Sequence, residues 1–380
     1  MVAEDQALSF KRLFSRSLAA APGRLHLAAH SHHLWPDVTR EAQAQYWEDS
    51  AALADRKWDK VMGEVLPEAQ GHVAAELGLA DPTAVVFAPN THALIVALFS
   101  ALPSPARVLT TDEEFHSFRR QSARWAEDGR IELEVVPTDR LAKAARGGEH
   151  DVIFASHVSF KSGRVFDGVF DLADLARPEG LWLVVDGYHG FRAVPTDLSA
   201  IADRVFYLAG GYKYAMAGEG CAFMHAPPGF GPRPAVTGWY AEFGDLEGPP
   251  GAVQYTRDAA RFMGATFDPS GLYRFNAVAR MLEAEGLTTA AISEHVARLQ
   301  KRLLDDLPAP LRDAELLNPS GQPHGRFLAF RHPDAQRWKA ALMERDIVTD
   351  VRDDVLRIGL GLYHDEADVE RFRAEARALL

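Results

Sequence analysis

Seven short, mostly apolar runs punctuate residues 84–225: AVVFA (84–88), RVLTT (107–111), IELEVV (131–136), DVIFAS (151–156), LWLVVD (181–186), RVFYLA (204–209) and CAFMH (221–225). Helical stretches lie among them, opening at Asn90, after Phe115 and near 171–177. Short β-branched and aromatic runs alternating with helices predict an α/β domain around a mostly parallel sheet of seven strands, helices on both faces. Ligands of such sheets sit beyond the carboxyl ends of the strands. Three polar positions fall there: Asn90–Thr91 after VVFAP, Asp186 closing LWLVVD, and Lys213 just past VFYLA.

The flanks are organised differently. Residues 36–78 read as helical with a break near Pro67, and 231–252 form a Gly/Pro-rich loop of the length functional loops have. Two helices follow, at about 271–285 and 287–306, then GRFLAFRH, a helix near 334–345, IVTDV, VLRIGLG and a closing helix from Asp365. That order suits a smaller α+β domain. The expected division is an N-terminal arm and substrate-site loop over 1–45, a large cofactor-binding domain over 46–268 and a small C-terminal domain over 269–380.

Lys213 stands between two tyrosines in GGYKYAMAGEG, where everything around it reads as interior. A lysine is costly to desolvate there, and it suits a nucleophile because burial makes its ammonium easier to deprotonate. Asp186 ends five apolar residues and must be paired or hydrogen-bonded. A lysine and an aspartate at neighbouring strand ends are what pyridoxal phosphate requires: one forms the Schiff base, the other keeps the pyridine nitrogen protonated. Thr91 and His92 open a helix, where free N–H groups and the helix dipole favour its phosphate.

Charge narrows the partners. The net charge of −12 repels nucleic acid and anionic membranes, so an anionic ligand needs a local arginine or helix terminus. The lone cysteine, Cys221, excludes an intramolecular disulfide and a cysteine-based zinc site and fits a reducing compartment. No apolar run approaches the roughly 18 residues of a spanning helix. The first residues mix acidic and basic side chains and read as a folded arm, so the expected location is the cytoplasm. No metal is expected, although His30, His32 and His33 fall within four residues.

The segment YKYAMAGEGCAFMH resembles the lysine block of kynureninases, Tyr-Lys-Tyr-Leu-Asn-x-Gly-Pro-Gly. SHVSFKSGRVFD (156–167), TGWY (237–240), RFMGAT (261–266) and DVRDDVLRIGLGLYHDEADVERF (350–372) are similar to further kynureninase segments, in the same order. The chain is thus identified as a kynureninase-like member of the class V, fold type I pyridoxal-phosphate enzymes.

The resemblance implies roles. Lys213 is the Schiff-base lysine and moves the Cα proton, Asp186 pairs with the pyridine nitrogen, His189 lies on the ring's phenolic side, and Tyr212 is a proton shuttle. Phe115 is the ring-stacking aromatic, with His116 the alternative. Thr91, His92, Tyr212 and Trp239 hold the phosphate, with Thr266 arriving from the neighbouring subunit of a homodimer. Arg357 grips the substrate carboxylate, with Arg352 as fallback. The family's Leu-Asp-Gly-Asn-Ser-Leu-Gly is replaced by LAAHSHHLWP (27–36), which puts His30 and Ser31 at the substrate. The implied reaction is hydrolytic Cβ–Cγ cleavage of kynurenine to anthranilate and alanine. A class V aminotransferase or epimerase is the alternative, and a desulfurase or lyase of the same fold comes after it.

Overall fold

Each of the seven apolar runs forms a strand: β1 (Val85–Ala88), β2 (Ala106–Thr111), β3 (Ile131–Val136), β4 (Val152–Ser156), β5 (Trp182–Asp186), β6 (Val205–Gly210) and β7 (Ala222–His225). The computed structural model describes residues 9–245, 251, 253–319, 321 and 324–379. The strands build one sheet in the order β1-β7-β6-β5-β4-β2-β3. β2 through β6 run parallel, and β7 runs against both of its neighbours.

Central strands covered on both faces read as unbroken apolar runs. Accordingly β6 is buried throughout, while β4 and β5 are buried except for their last residues, Ser156 and Asp186. The edge strand β3 instead exposes Glu132 and Glu134, and charges there discourage pairing with another chain. Asn90 caps the helix Thr91–Phe99 through its side chain, as a short polar residue before an apolar helix should.

The helical region at 36–78 breaks earlier than expected. Val38–Leu53 ends at Ala54, whose φ is 52°, and Pro67 lies in the first turn of Leu66–Leu77. Helical backbone runs into it from Lys57–Lys60 through the π-helical turn Val61–Val65, so Pro67 sits just past a π-bulge rather than at a helix start. The stretch near 171–177 is a 3-10 helix over Asp167–Leu175, and the helix Leu141–Gly147 had no counterpart in the sequence reading. Of the Gly/Pro-rich loop, residues 246–250 and 252 lie outside the described residues, as do residues 1–8 of the arm.

A second sheet contains β8 (Glu315–Leu316), β9 (Phe327–Arg331), β10 (Asp350–Arg352) and β11 (Val355–Gly359), in the order β10-β11-β9-β8 and antiparallel throughout. Trp338 and Leu342, from the helix Ala335–Met343, pack with Leu356, Ile358 and Phe372 into its core. The N-terminal segment joins this sheet's surroundings: Leu25–His26 pairs in parallel with Ile347–Val348, and Ala28 bridges to Gly359. That pairing carries the histidine-rich loop 30–33 toward β11. Among the described residues no helix is long and apolar enough to cross a membrane.

Candidate active site

The carboxyl ends of β2, β4 and β5 present Thr111, Ser156 and Asp186 along one edge, with Ser156 and Asp186 in register as neighbours. Lys213 follows β6 in a turn fixed by backbone bonds: Gly211 N donates to the Cys221 carbonyl (2.7 Å), Met216 N to that of Lys213 (2.9 Å) and Ala217 N to that of Gly211 (2.8 Å). Arg274 clasps the same turn, its Nε donating to the Ala217 carbonyl at 2.7 Å and its Nη2 to that of Glu219 at 2.6 Å. The amine is therefore held by a rigid backbone.

A cavity of about 290 Å³ opens at this edge, and Lys213, Asp186, Tyr212 and His189 all line it. Thr91 and His92 reach it from the start of their helix. Asn90 Oδ1 there accepts only from Ala93 N (2.9 Å), which leaves the first-turn N–H groups for an anion. Phe115 lines the cavity, whereas His116 packs against Phe160 at 5.4 Å. Lys213 is 5% exposed. Its Nζ lies 4.7 Å from the Tyr188 ring centroid, 5.6 Å from that of Phe115 and 5.7 Å from that of Tyr212.

Sequence reasoning missed Tyr188, Ser156 and Phe160, which also line the cavity. Tyr188 sat inside the DGYHG that yielded Asp186 and His189, but only its strand-end context could have marked it. It lies so close to Gly210 that a Cβ there would fall 2.3 Å from the Tyr188 hydroxyl, so a side chain at the end of β6 would displace the Tyr188 ring. Glu114 was missed as well. It is 1% exposed, its Oε1 accepts from Thr111 Oγ1 (2.6 Å) and Ser156 N (3.1 Å), and its Oε2 accepts from Ser156 Oγ (2.6 Å). Burial pushes its pKa up to about 7.

Burial likewise drives Lys213 down to about 7, with Arg357 and Arg352 adding to the fall and the Asp186 charge opposing it. Loss of water raises Asp186, against a hydrogen bond from Tyr188 N (2.9 Å) and the Lys213 charge. Tyr212 is pushed up to about 12, chiefly by burial, and is a neutral phenol at neutral pH. Burial holds His189 well below the usual histidine range, and neither of its ring nitrogens has a partner.

Other expected site residues lie elsewhere. Trp239 and Thr266 do not line the cavity, and Trp239 Nε1 donates to Thr266 Oγ1 at 3.2 Å within one chain. The expectation gave Trp239 and Thr266 to the phosphate, the latter from a neighbouring subunit; within one chain the two side chains are hydrogen-bonded to each other. Arg357 is 1% exposed and donates through Nη1 to the Phe160 carbonyl and through Nη2 to Asp350. Its terminal nitrogens are thus already engaged within the protein. Arg352, with 37% of its side chain exposed, is the more reachable.

His30 is fully buried, stacked on Phe327 with centroids 4.5 Å apart, and is not among the residues lining the cavity. Ser31 is half-buried, does not line the cavity and donates its N–H to the Ala28 carbonyl at 2.9 Å. His32 stacks on Tyr212 at 5.0 Å, and His33 Nδ1 lies 2.8 Å from the Leu34 carbonyl. These separate environments disperse the three rings. Among the described residues no group of three or more His, Cys, Asp or Glu side chains is placed to hold a metal ion.

Comparison with known proteins gives this arrangement a family. Residues 292–375 match the family described as the kynureninase C-terminal domain. Over 373 residues the chain is 30% identical to isopenicillin N epimerase of Streptomyces clavuligerus, covering 87% of this chain and 89% of that protein. The chain belongs to the class V, fold type I pyridoxal-phosphate-dependent enzymes. This enzyme is also 27% identical over 366 residues to a kynureninase of Deinococcus radiodurans, covering 92% of this chain and 83% of that one. In fold it is similar to a C-DES mutant with glycine covalently linked to its PLP cofactor, with a TM-score of 0.79 at 16% identity over 97% and 99% of the two chains.

Its cofactor is pyridoxal 5′-phosphate. The cavity fits that group: it offers a buried amine for an aldehyde, a carboxylate for a pyridine nitrogen and a helix start for a phosphate. The orphaned nitrogens of His189 call for polar company that the protein itself does not supply.

Proposed function

We propose that this enzyme cleaves an α-amino acid hydrolytically between Cβ and Cγ, with kynurenine as the substrate and anthranilate and alanine as products. The observation that carries the reading is the convergence, in one buried cavity, of the Lys213 amine, the Asp186 carboxylate and the Tyr212 phenol, an amine made easier to deprotonate by burial beside a phenol that keeps its proton. The match of residues 292–375 to a kynureninase domain supports it. Bound in the cavity, pyridoxal 5′-phosphate supplies an aldehyde for the amino group and a ring that delocalises the electrons left at Cα.

The chain's own residues do the rest. Lys213 would bond the cofactor's aldehyde and take up the Cα proton; an amine drawn down to about 7 by burial suits both tasks at neutral pH. Asp186 would hold the pyridine nitrogen, Phe115 the ring and His189 the phenolic oxygen. N–H groups of Thr91 and His92 would hold the phosphate, as would the Tyr212 hydroxyl, which would also donate a proton during cleavage. Arg352 and Arg357 receive the substrate carboxylate, Arg352 being the one open to it. Trp239 and Thr266 would reach the phosphate as a pair from the partner chain of a homodimer, in the cytoplasm.

A second reading, epimerisation or amino transfer, is favoured by the 30% identity to isopenicillin N epimerase and needs only removal and return of the Cα proton. Desulfuration is not favoured, because burial pushes the Cys221 thiol up to about 12 and that cysteine lies beneath the Lys213 turn. The test is to incubate holoenzyme with kynurenine, 3-hydroxykynurenine, cysteine and a panel of amino acids and to identify products. Alanine with an aryl acid is expected; a D-amino acid or a keto acid instead supports the second reading.

A further inference from the structure

We infer that Asp350 sets the charge accepted at the carboxylate end of the substrate site: by bridging Arg352 and Arg357 it leaves one unmatched positive charge, the complement of a single carboxylate. The inference rests on the proposal that these arginines receive that carboxylate. Asp350 on β10 and Arg357 on β11 are register partners. Asp350 Oδ2 accepts from Arg357 Nη2, and its Oδ1 lies 3.5 Å from Arg352 Nη2.

Three further observations place and count the charges. His30 Nε2 approaches Asp350 Oδ2 at 3.6 Å, but burial and the neighbouring arginines hold that imidazole neutral, so it adds no charge. Its ring fits only because Gly359 has no side chain; a Cβ there would fall 2.1 Å from His30 Nδ1. Both guanidiniums lie against the ring of Phe160, at 4.7 Å for Arg357 and 5.5 Å for Arg352, and Phe160 lines the Lys213 cavity. The cluster is thus one ring away from the reacting amine.

Two guanidiniums against one carboxylate leave a charge of about +1 shared between the buried Arg357 and the part-exposed Arg352, and the buried share is unfavourable until matched. Donors for a match are present: Arg357 Nε and Arg352 Nε are buried and have no acceptor. A monocarboxylate brings the cluster to neutrality, whereas a dianion overshoots it. The same carboxylate offsets the two arginine charges that push the Lys213 pKa down.

The test uses holoenzyme and two ligands of matched shape, L-alanine and its phosphonate analogue 1-aminoethylphosphonate, a dianion under mildly alkaline conditions. Dissociation constants are read from the change in the visible spectrum. Wild type is expected to prefer alanine by about tenfold or more, and Asp350→Asn to narrow or reverse that preference by about tenfold. Asp350→Glu, which keeps the charge, is expected to restore it. An Asp350→Asn protein that folds and keeps the wild-type preference overturns the inference.

If Asp350→Asn does not fold, Arg352→Gln carries the test. It takes the excess charge to zero and is expected to weaken alanine by about tenfold. Unchanged alanine binding in both Arg352→Gln and Arg357→Lys places the carboxylate end elsewhere, which identifies the clamp as the failed premise. Weakened alanine binding with an unaltered phosphonate preference in Asp350→Glu and Asp350→Asn alike identifies the role of Asp350 as the failure.

Discussion

At the edge of the large sheet, Lys213 and Asp186 share a cavity with a histidine whose ring nitrogens have no partner, and burial drives amine and carboxylate toward neutrality. In the small sheet, Arg357 is as deeply buried yet keeps a carboxylate, a backbone carbonyl and an aromatic ring as company. The first region leaves its polar groups for something that arrives from outside. The second satisfies most of its own and holds back one charge. One is built for chemistry and the other for recognition, and the two should respond to mutation in opposite ways.

The largest contrast is in turnover. Lys213→Ala is expected to lower kcat by roughly 10⁴-fold or more while leaving the thermal midpoint of the cofactor-free protein unchanged or higher, because a buried amine is costly to keep. Calorimetry beside a product assay checks it, and a collapse of stability in this variant breaks the contrast. Arg357→Ala should do the reverse in kind. It strands Asp350 without its principal cation, so a loss of about 3–5 kcal/mol of stability is expected, measured by denaturant unfolding. A variant of unaltered stability would mean that the pair is not held as described.

Proton binding gives the next effect. The Lys213 pKa is lowered to about 7 from the ordinary 10.5, so between those values the unfolded chain binds a proton that the folded chain does not. Stability from this group therefore rises with pH across that window and is lowest below about 7. Reaction of the cofactor-free amine with an aldehyde reagent should rise with a midpoint near 7. In Asp186→Asn that midpoint should fall further, since the aspartate charge is what holds it up. A midpoint that rises would reverse the assigned sign.

The smallest effect concerns the pair outside both regions. Trp239→Ala is expected to leave the Lys213 midpoint in place but to weaken cofactor binding several-fold, about 1 kcal/mol for one lost hydrogen-bonding group. Equilibrium dialysis and sedimentation together check this, and unaltered affinity in a dimer removes Trp239 from the phosphate.

The sequence made the cavity legible because its parts are local. Asp186 and Lys213 each follow an apolar strand, and Asn90–Thr91 punctuate the start of a helix, so chain order alone brings them to one edge. What it hid depends on packing between distant segments. Asp350 and Arg357 meet only through the β10–β11 register, and Phe160 joins them from a loop nearly two hundred positions earlier. The run of histidines 30–33 looked like one feature and is three, because β11, Tyr212 and Leu34 take one ring each. Pro67 misled for a similar reason: it reads as a break, and only the backbone shows that a π-helical turn, Val61–Val65, carries the helix past it.

The central claim is that the Lys213 amine is the group that bonds the cofactor. Borohydride reduction of the holoenzyme, followed by proteolysis and mass spectrometry, tests it directly. The account predicts a phosphopyridoxyl adduct on the peptide carrying Lys213 and on no other lysine. An adduct on a different lysine, or none on an enzyme shown to contain its cofactor, contradicts it.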